Sequence, residues 1–305
     1  MQNRSLYLLL SALVVITFLQ TPAATAQQLD YNPRILLVTA HPDDDAIYAA
    51  TVFKTTHLLD GEVDLAIMTN GEGGYRYSTL GNYIYGKQLD KEEVGRDYLP
   101  GIRKKEVMAG GKIVGIRNYY FLEQKDKQYT EDVKKALDMW DAGWIERRLQ
   151  EIIEEERYDF IFTMLPQSGT HGHHKASALL ALRAVENMKA EERPIILGTT
   201  IFRNKDVQTD YRMLKGFPLT RISSDHEPLL FDRTQKFGFE NRLNYNIIAN
   251  WVIAEHKSQG TMQLFMNGAK VEVYLFYEIN DDDKYSKARE YFDAVNAAEM
   301  YKRDR

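Results

Sequence analysis

Two short segments of the chain carry side chains able to hold a metal ion and move protons. The first is Ala40-His41-Pro42-Asp43-Asp44-Asp45. Pro42 has the fixed φ of a first helical position, so the apolar run before it can pass directly into a helix. His41 and Asp44 stand three apart, which lets an imidazole and a carboxylate meet at one metal ion while Asp43 points elsewhere. The same acids also suit a plain helix start, where carboxylates satisfy free N–H groups, so this segment alone fits either role. The second segment is Pro166-Gln167-Ser168-Gly169-Thr170-His171-Gly172-His173-His174, which holds three of the seven histidines within four residues. Such a cluster can bind metal adventitiously at a surface. Two His and one carboxylate drawn from both segments, however, make the three-ligand set of a catalytic zinc site that keeps a fourth position for water. The chain has no cysteine, which excludes a thiolate site, a disulfide framework and a lipoprotein anchor.

The elements around these segments place both at strand ends. Arg34 to Ala40 reads as a buried strand and Asp44 to Leu58 as a helix. The order then repeats: strands at Val63–Thr69, Asn118–Leu122, Asp159–Met164 and Pro194–Ile201, with helices at Ile102–Val114, Thr130–Arg157 and Lys175–Lys189 between and around them. This alternation predicts an α/β fold, a three-layer α/β/α Rossmann-like arrangement on a mostly parallel sheet. Ligands in such folds gather at the carboxyl ends of the strands, here the loops that begin at His41, Asn70, Glu123 and Pro166.

Beyond Phe202 the alternation gives way to a mixed pattern with a late strand, Lys270–Ile279, and a charged helix from Lys284. Residues 27–202 are therefore expected to form the catalytic core, and 203–305 a mixed C-terminal subdomain completing the same domain. Residues 1–26 have the order of a secretory signal: Arg4, an apolar run from Leu6 to Leu19, then small residues ending Ala24-Thr25-Ala26. The run is shorter than the roughly 20 residues a spanning helix needs, so an exported protein with no membrane span in its mature part is expected, periplasmic or secreted. A net charge of −5 and the absence of a long basic run argue against a nucleic-acid partner and for a small-molecule substrate. The sequence carries no signal for an oligomeric state.

A long insertion runs from Gly71 to Pro100. Its Tyr75, Tyr77, Tyr83 and Tyr85 suit stacking on the apolar face of a sugar, and equally suit packing among themselves. Gly71-Glu72-Gly73-Gly74 lacks the spacing of a dinucleotide-binding turn and follows the second strand, so it is not read as one.

Together these motifs resemble the PIG-L or LmbE-like N-acetylglucosaminyl deacetylases. The family's A-H-P-D-D-E is matched by Ala40–Asp45 and its H-x-D-H by His171–His174. Thr69–Gly74, Arg103–Glu106, Phe121-Leu122 with Asp126, and His256–Gln259 match in order as well. The resemblance implies one zinc ion per chain on His41, Asp44 and His174, with Asp43 as general base and His171 assisting as acid. It also implies an N-acetylated sugar or glycoconjugate as substrate, met by Arg103, Asn70, Asp126 and Tyr75. Two positions depart from the family: Asp45 replaces a Glu, shortening a supporting carboxylate, and His173 replaces the Asp expected to orient His171.

That assignment accords with what amide hydrolysis demands. The carbonyl is a poor electrophile and the amine a poor leaving group, so a Lewis acid and a proton donor together address both barriers.

Overall fold

The computed structural model describes residues 29–127, 129–207, 209–259 and 267–299, and the predicted signal segment lies outside them. In chain order the strands are β1 (Arg34–Thr39), β2 (Glu62–Thr69), β3 (Ile116–Gln124), β4 (Phe160–Met164), β5 (Ile195–Phe202), β6 (Leu229–Asp232), β7 (Lys236–Phe237), β8 (Leu243–Asn244) and β9 (Val271–Phe276). The helices are α1 (Ala49–Leu58), α2 (Thr79–Tyr85), α3 (Glu92–Val114), α4 (Val133–Asp138), α5 (Ala142–Glu156), α6 (Gly172–Glu186), α7 (Asn246–Glu255) and α8 (Lys284–Ala297). Seven strands form one sheet in the order β3-β2-β1-β4-β5-β9-β6, and β7 and β8 pair separately. The first five run parallel; β9 lies antiparallel to β5, and β6 antiparallel to β9. The predicted α/β class, with its mostly parallel sheet, is the fold observed.

Burial follows the period-2 geometry of a strand covered on both faces. Ile35 and Leu37 of β1 join one core beneath α1, α3, α7 and α8, whereas Leu36 and Val38 join the other beneath α4, α5 and α6. The chain builds β1, β2 and β3 outward in one direction, then returns across β1 to place β4 on its other side. This reversal leaves a crevice at the carboxyl ends of β1 and β4. His41 and His171–His174 follow those two strands.

Two predicted helices differ. The helix expected from Ile102 begins ten residues earlier and runs through Pro100. Proline removes one helical hydrogen bond, but Leu99 is buried with Tyr75 and Leu89, and this packing holds the helix together across the gap. The long helix expected over Thr130–Arg157 breaks instead into α4 and α5, because Asp141 turns out of the helix and caps α5 through the N–H of Trp144. The Gly/Tyr-rich insertion is largely helical, comprising a 3-10 segment (Glu72–Tyr77), α2 and the start of α3. Among the described residues no helix is long and apolar enough to cross a membrane.

Candidate metal centre and substrate cavity

The segment after β1 turns into a 3-10 helix, Pro42–Ile47. Asp44 secures this turn with one oxygen: Oδ2 accepts from the backbone N–H groups of Ala40 (3.1 Å) and His41 (2.8 Å). Its other oxygen, Oδ1, stands 3.2 Å from His174 Nε2. His41 Nδ1 lies 3.2 Å from the same His174 nitrogen and 3.6 Å from Asp44 Oδ2. One donor atom from each of His41, Asp44 and His174 therefore falls within 4.8 Å of the others. Burial opposes charge on Asp44, but His174 and His41 outweigh it and hold the carboxyl well below its usual range. Burial likewise opposes protonation of His41, and Asp44 overrides it and raises the imidazole's pKa. The site thus favours positive charge at its centre, and two imidazoles with one carboxylate fit a divalent ion such as zinc.

The three consecutive aspartates face three ways. Asp43 Oδ1 accepts from Arg103 Nη2, and Arg103 Nη1 donates to the Gly71 carbonyl at 2.7 Å. Gly71 has φ +69°, and a Cβ on it would lie 2.0 Å from the guanidinium, so both its conformation and the closeness of Arg103 require glycine. Asp45 faces away from the metal donors, its Oδ1 lying 2.8 Å from His256 Nε2 in a fully buried contact. The shortened acid thereby ties the turn to the matched segment His256–Gln259, whose Ser258 also binds Glu106 through N–H and hydroxyl.

His171 caps α6: its Nδ1 accepts from the His173 backbone N–H at 2.9 Å. The accepting nitrogen carries no proton, so the neutral ring bears its hydrogen on Nε2. Burial, reinforced by the neighbouring histidines, pushes the His171 pKa down to about 2. His173 is wholly buried, and its ring nitrogen faces His41 rather than a nitrogen of His171: Nδ1 is 3.2 Å from His41 Nε2. The only hydrogen bond from His173 to His171 comes from the backbone. Burial, then the charge of His41, lowers the His173 pKa to about 3. Asp126 Oδ1 is 3.6 Å from His173 Nδ1, and Asp126 Oδ2 accepts from the Gly73 N–H at 3.0 Å.

These side chains open onto a cavity of about 530 Å³. His41, Asp43, Asp44, His171 and His174 line its middle, with Arg103, Asp126 and Tyr75 on the β2–β3 side. Ile47, Met164, Leu165, Ile201 and Phe202 form an apolar wall toward β5. Asn70 does not line the cavity; its amide donates to Glu123 Oε2 at 2.5 Å. Of the insertion's tyrosines, Tyr75 and Tyr77 reach the cavity, Tyr83 is 85% exposed, and Tyr85 donates to Glu106 Oε1. Three contributions escaped sequence reasoning. Tyr129 meets the His171 ring edge-on at 4.7 Å, the end of β5 supplies the apolar wall, and Gln259 reaches the lining beside Gly74. Gln259 lay in a matched motif; the other two sit in stretches with no distinguishing pattern.

The family model described as PIG-L, GlcNAc-PI de-N-acetylase, matches residues 36–185, which include both motifs. A probable N-acetyl-alpha-D-glucosaminyl L-malate deacetylase 2 from Bacillus cereus is 30% identical over 173 residues, covering 56% of this chain and 70% of that protein. The chain belongs to the PIG-L family. The family model and this relative are both described as deacetylases, and this chain is an amide hydrolase of that type. Among solved structures, the antimicrobial pseudoaglycone deacetylase Dbv21 aligns with a TM-score of 0.54 at 15% identity, covering 82% of this chain and 99% of that one. A 4-carboxy-2-hydroxymuconate hydratase from Pseudomonas putida aligns with a TM-score of 0.50 at 12% identity, over 80% and 95% of the two chains. At these identities the likeness is one of fold, and the fold serves more than one chemistry.

Proposed function

We propose that this PIG-L family member is a zinc-dependent de-N-acetylase that removes acetyl from an N-acetylglucosamine-type sugar or sugar conjugate, with one ion per chain. The observation that carries this reading is the convergence of His41, Asp44 and His174 beside the Asp43–Arg103 pair in a cavity of about 530 Å³, large enough for a sugar conjugate. When bound, the ion supplies Lewis acidity toward the amide carbonyl and the attacking water.

The remaining work falls to the protein. Arg103 holds Asp43 by Oδ1, leaving Oδ2 to take the proton of water as its oxygen attacks the carbonyl carbon. His171, neutral with hydrogen on Nε2, donates a hydrogen bond to the carbonyl oxygen as negative charge develops there. A neutral imidazole is a poor acid, so the proton taken by Asp43 is the one returned to the departing nitrogen as the C–N bond breaks. Acetate and the free amine are the products. The polar β2–β3 side, with Arg103, Asp126 and Tyr75, suits a hydroxylated ring.

The test is acetate release from a panel of N-acetylated sugars and conjugates, with and without chelator. Release that stops on chelation and returns with zinc supports the proposal; no release from any member, or release indifferent to chelation, sinks it.

Export and domain organisation belong to the same proposal. The order of Arg4, the apolar run and Ala24-Thr25-Ala26 supports a cleaved signal, and a mature N-terminus at Gln27 is the expected sequencing result. That β9 and β6 add to the sheet of the core supports reading residues 203–305 as part of one domain. A chain ending at residue 202 should then fail to fold.

A further inference from the structure

Resting on that reading of the metal site, we propose that His173 is a positioning residue for His41, its Nδ1 accepting the hydrogen bond from His41 Nε2 that turns His41 Nδ1 toward Asp44 and His174. An imidazole that offers one nitrogen to a metal carries its hydrogen on the other, and that N–H needs an acceptor to hold the ring in place. His41 Nδ1 faces the donor cluster, at 3.2 Å from His174 Nε2 and 3.6 Å from Asp44 Oδ2. Among the described residues the hydrogen-bond partner of Nε2 is His173 Nδ1, at 3.2 Å.

The partner is itself held firmly. His173 is 0% exposed in the first turn of α6, and its ring lies against Trp140 with centroids 4.8 Å apart. Among the described residues Asp126 makes no hydrogen bond to His41: its Oδ2 is engaged by the Gly73 N–H, and its Oδ1 stands 3.6 Å from His173 Nδ1. His173 differs in kind from the usual carboxylate partner. A carboxylate pulls the proton toward itself and makes the metal ligand more basic, whereas a neutral ring orients the ligand without adding charge.

A competing arrangement uses the same residues. His41, His171 and His173 also bring donor atoms together, and a second ion there would make His173 a ligand. His171 Nδ1, however, is already occupied by the His173 N–H, and the first group contains the anion that the second lacks.

The experiment titrates metal-free full-length protein with Co²⁺ followed by visible absorption, then displaces it with Zn²⁺ to obtain affinities; circular dichroism checks folding. His173→Asn keeps an acceptor near the Nδ1 position and should bind within about threefold of the parent. His173→Gln carries its amide farther out, and His173→Phe removes the acceptor; both should bind roughly 10- to 100-fold more weakly. Should His173→Phe not fold, the Asn and Gln variants decide between them. Equal affinities for Asn and Gln, or parental affinity for Phe, would overturn the proposal. So would a second equivalent of Co²⁺ in the parent that is lost in every variant. His174→Ala separates this failure from that of the underlying reading: if it still binds tightly, the metal site itself is misassigned.

Discussion

Glu272 and Arg233 form an ion pair in which both side chains are fully buried, and replacing Glu272 by Gln should cost the fold more than any surface change. Glu272 accepts from the backbone N–H groups of Ala50 and Thr51 (3.0 Å each), Thr51 Oγ1 (2.5 Å), Arg233 Nε (2.7 Å) and Tyr274 Oη (3.1 Å). Arg233 Nη2 donates to the carbonyls of Ala46 and Ile47, both at 2.8 Å. Together the pair caps the end of the 3-10 turn bearing Asp43 and Asp44 and the start of α1. Each Glu272 oxygen accepts from a backbone N–H, Oε1 from Ala50 and Oε2 from Thr51, so a Gln NH₂ must face another donor whichever way it turns, and Arg233 keeps an uncompensated charge. Removing one partner of a buried pair costs about 3–5 kcal/mol. At about 2–4 °C per kcal/mol for a domain near this size, the melting temperature should fall by roughly 6–20 °C. Calorimetry and urea unfolding of the metal-free protein measure the loss, and a Co²⁺ titration should show weaker binding because the turn is less firmly held. Arg233→Met combined with Glu272→Gln should be more stable than Glu272→Gln alone, since the stranded cation is gone. A fall of less than about 2 °C, or a double variant no better than the single, would refute the argument from buried charge.

Asp43→Asn should retain metal while turnover falls about 100-fold or more, because an amide keeps the contact shape but cannot accept the proton; near-parental kcat would place the base elsewhere. Gly71→Ala puts a methyl 2.0 Å from the Arg103 guanidinium at a φ of +69°, so kcat/KM should drop with metal affinity unchanged, and a normal kcat/KM would show that the Arg103 contact is dispensable. Burial keeps His171 and His173 unprotonated down to about pH 2 and 3, whereas the unfolded chain takes up these protons below about 6.5. The unfolded state therefore binds more protons in that window, and the metal-free protein should lose stability as pH falls from about 6.5 toward 3. Urea midpoints at stepped pH should fall less steeply for His173→Asn; parallel curves would remove His173 from the account.

Both segments that bear the candidate ligands stand out in the sequence because their information is local. A strand's apolar run, the helix signal after it and residues three apart across one turn all lie within a dozen positions, and strand–helix alternation places such turns at the carboxyl edge of a parallel sheet. His41, Asp44 and the histidine cluster could be assembled on that basis. Direction and partnership over long separations were not legible. Asn70 follows a strand as expected, yet Glu123 on the neighbouring strand end draws its amide out of the cavity. Asp45 meets His256 across 211 positions, and Glu272 reaches α1 across 222, contacts that no periodicity encodes. The helix through Pro100 and the break at Asp141 were settled by packing and capping over local propensity. The residue types and order that specify an α/β hydrolase of this family belong to the sequence alone. Which way the His173 ring turns was decided only by the tertiary structure, because a side chain in a close-packed interior takes the orientation its neighbours leave open, and here those neighbours are Trp140 and His41.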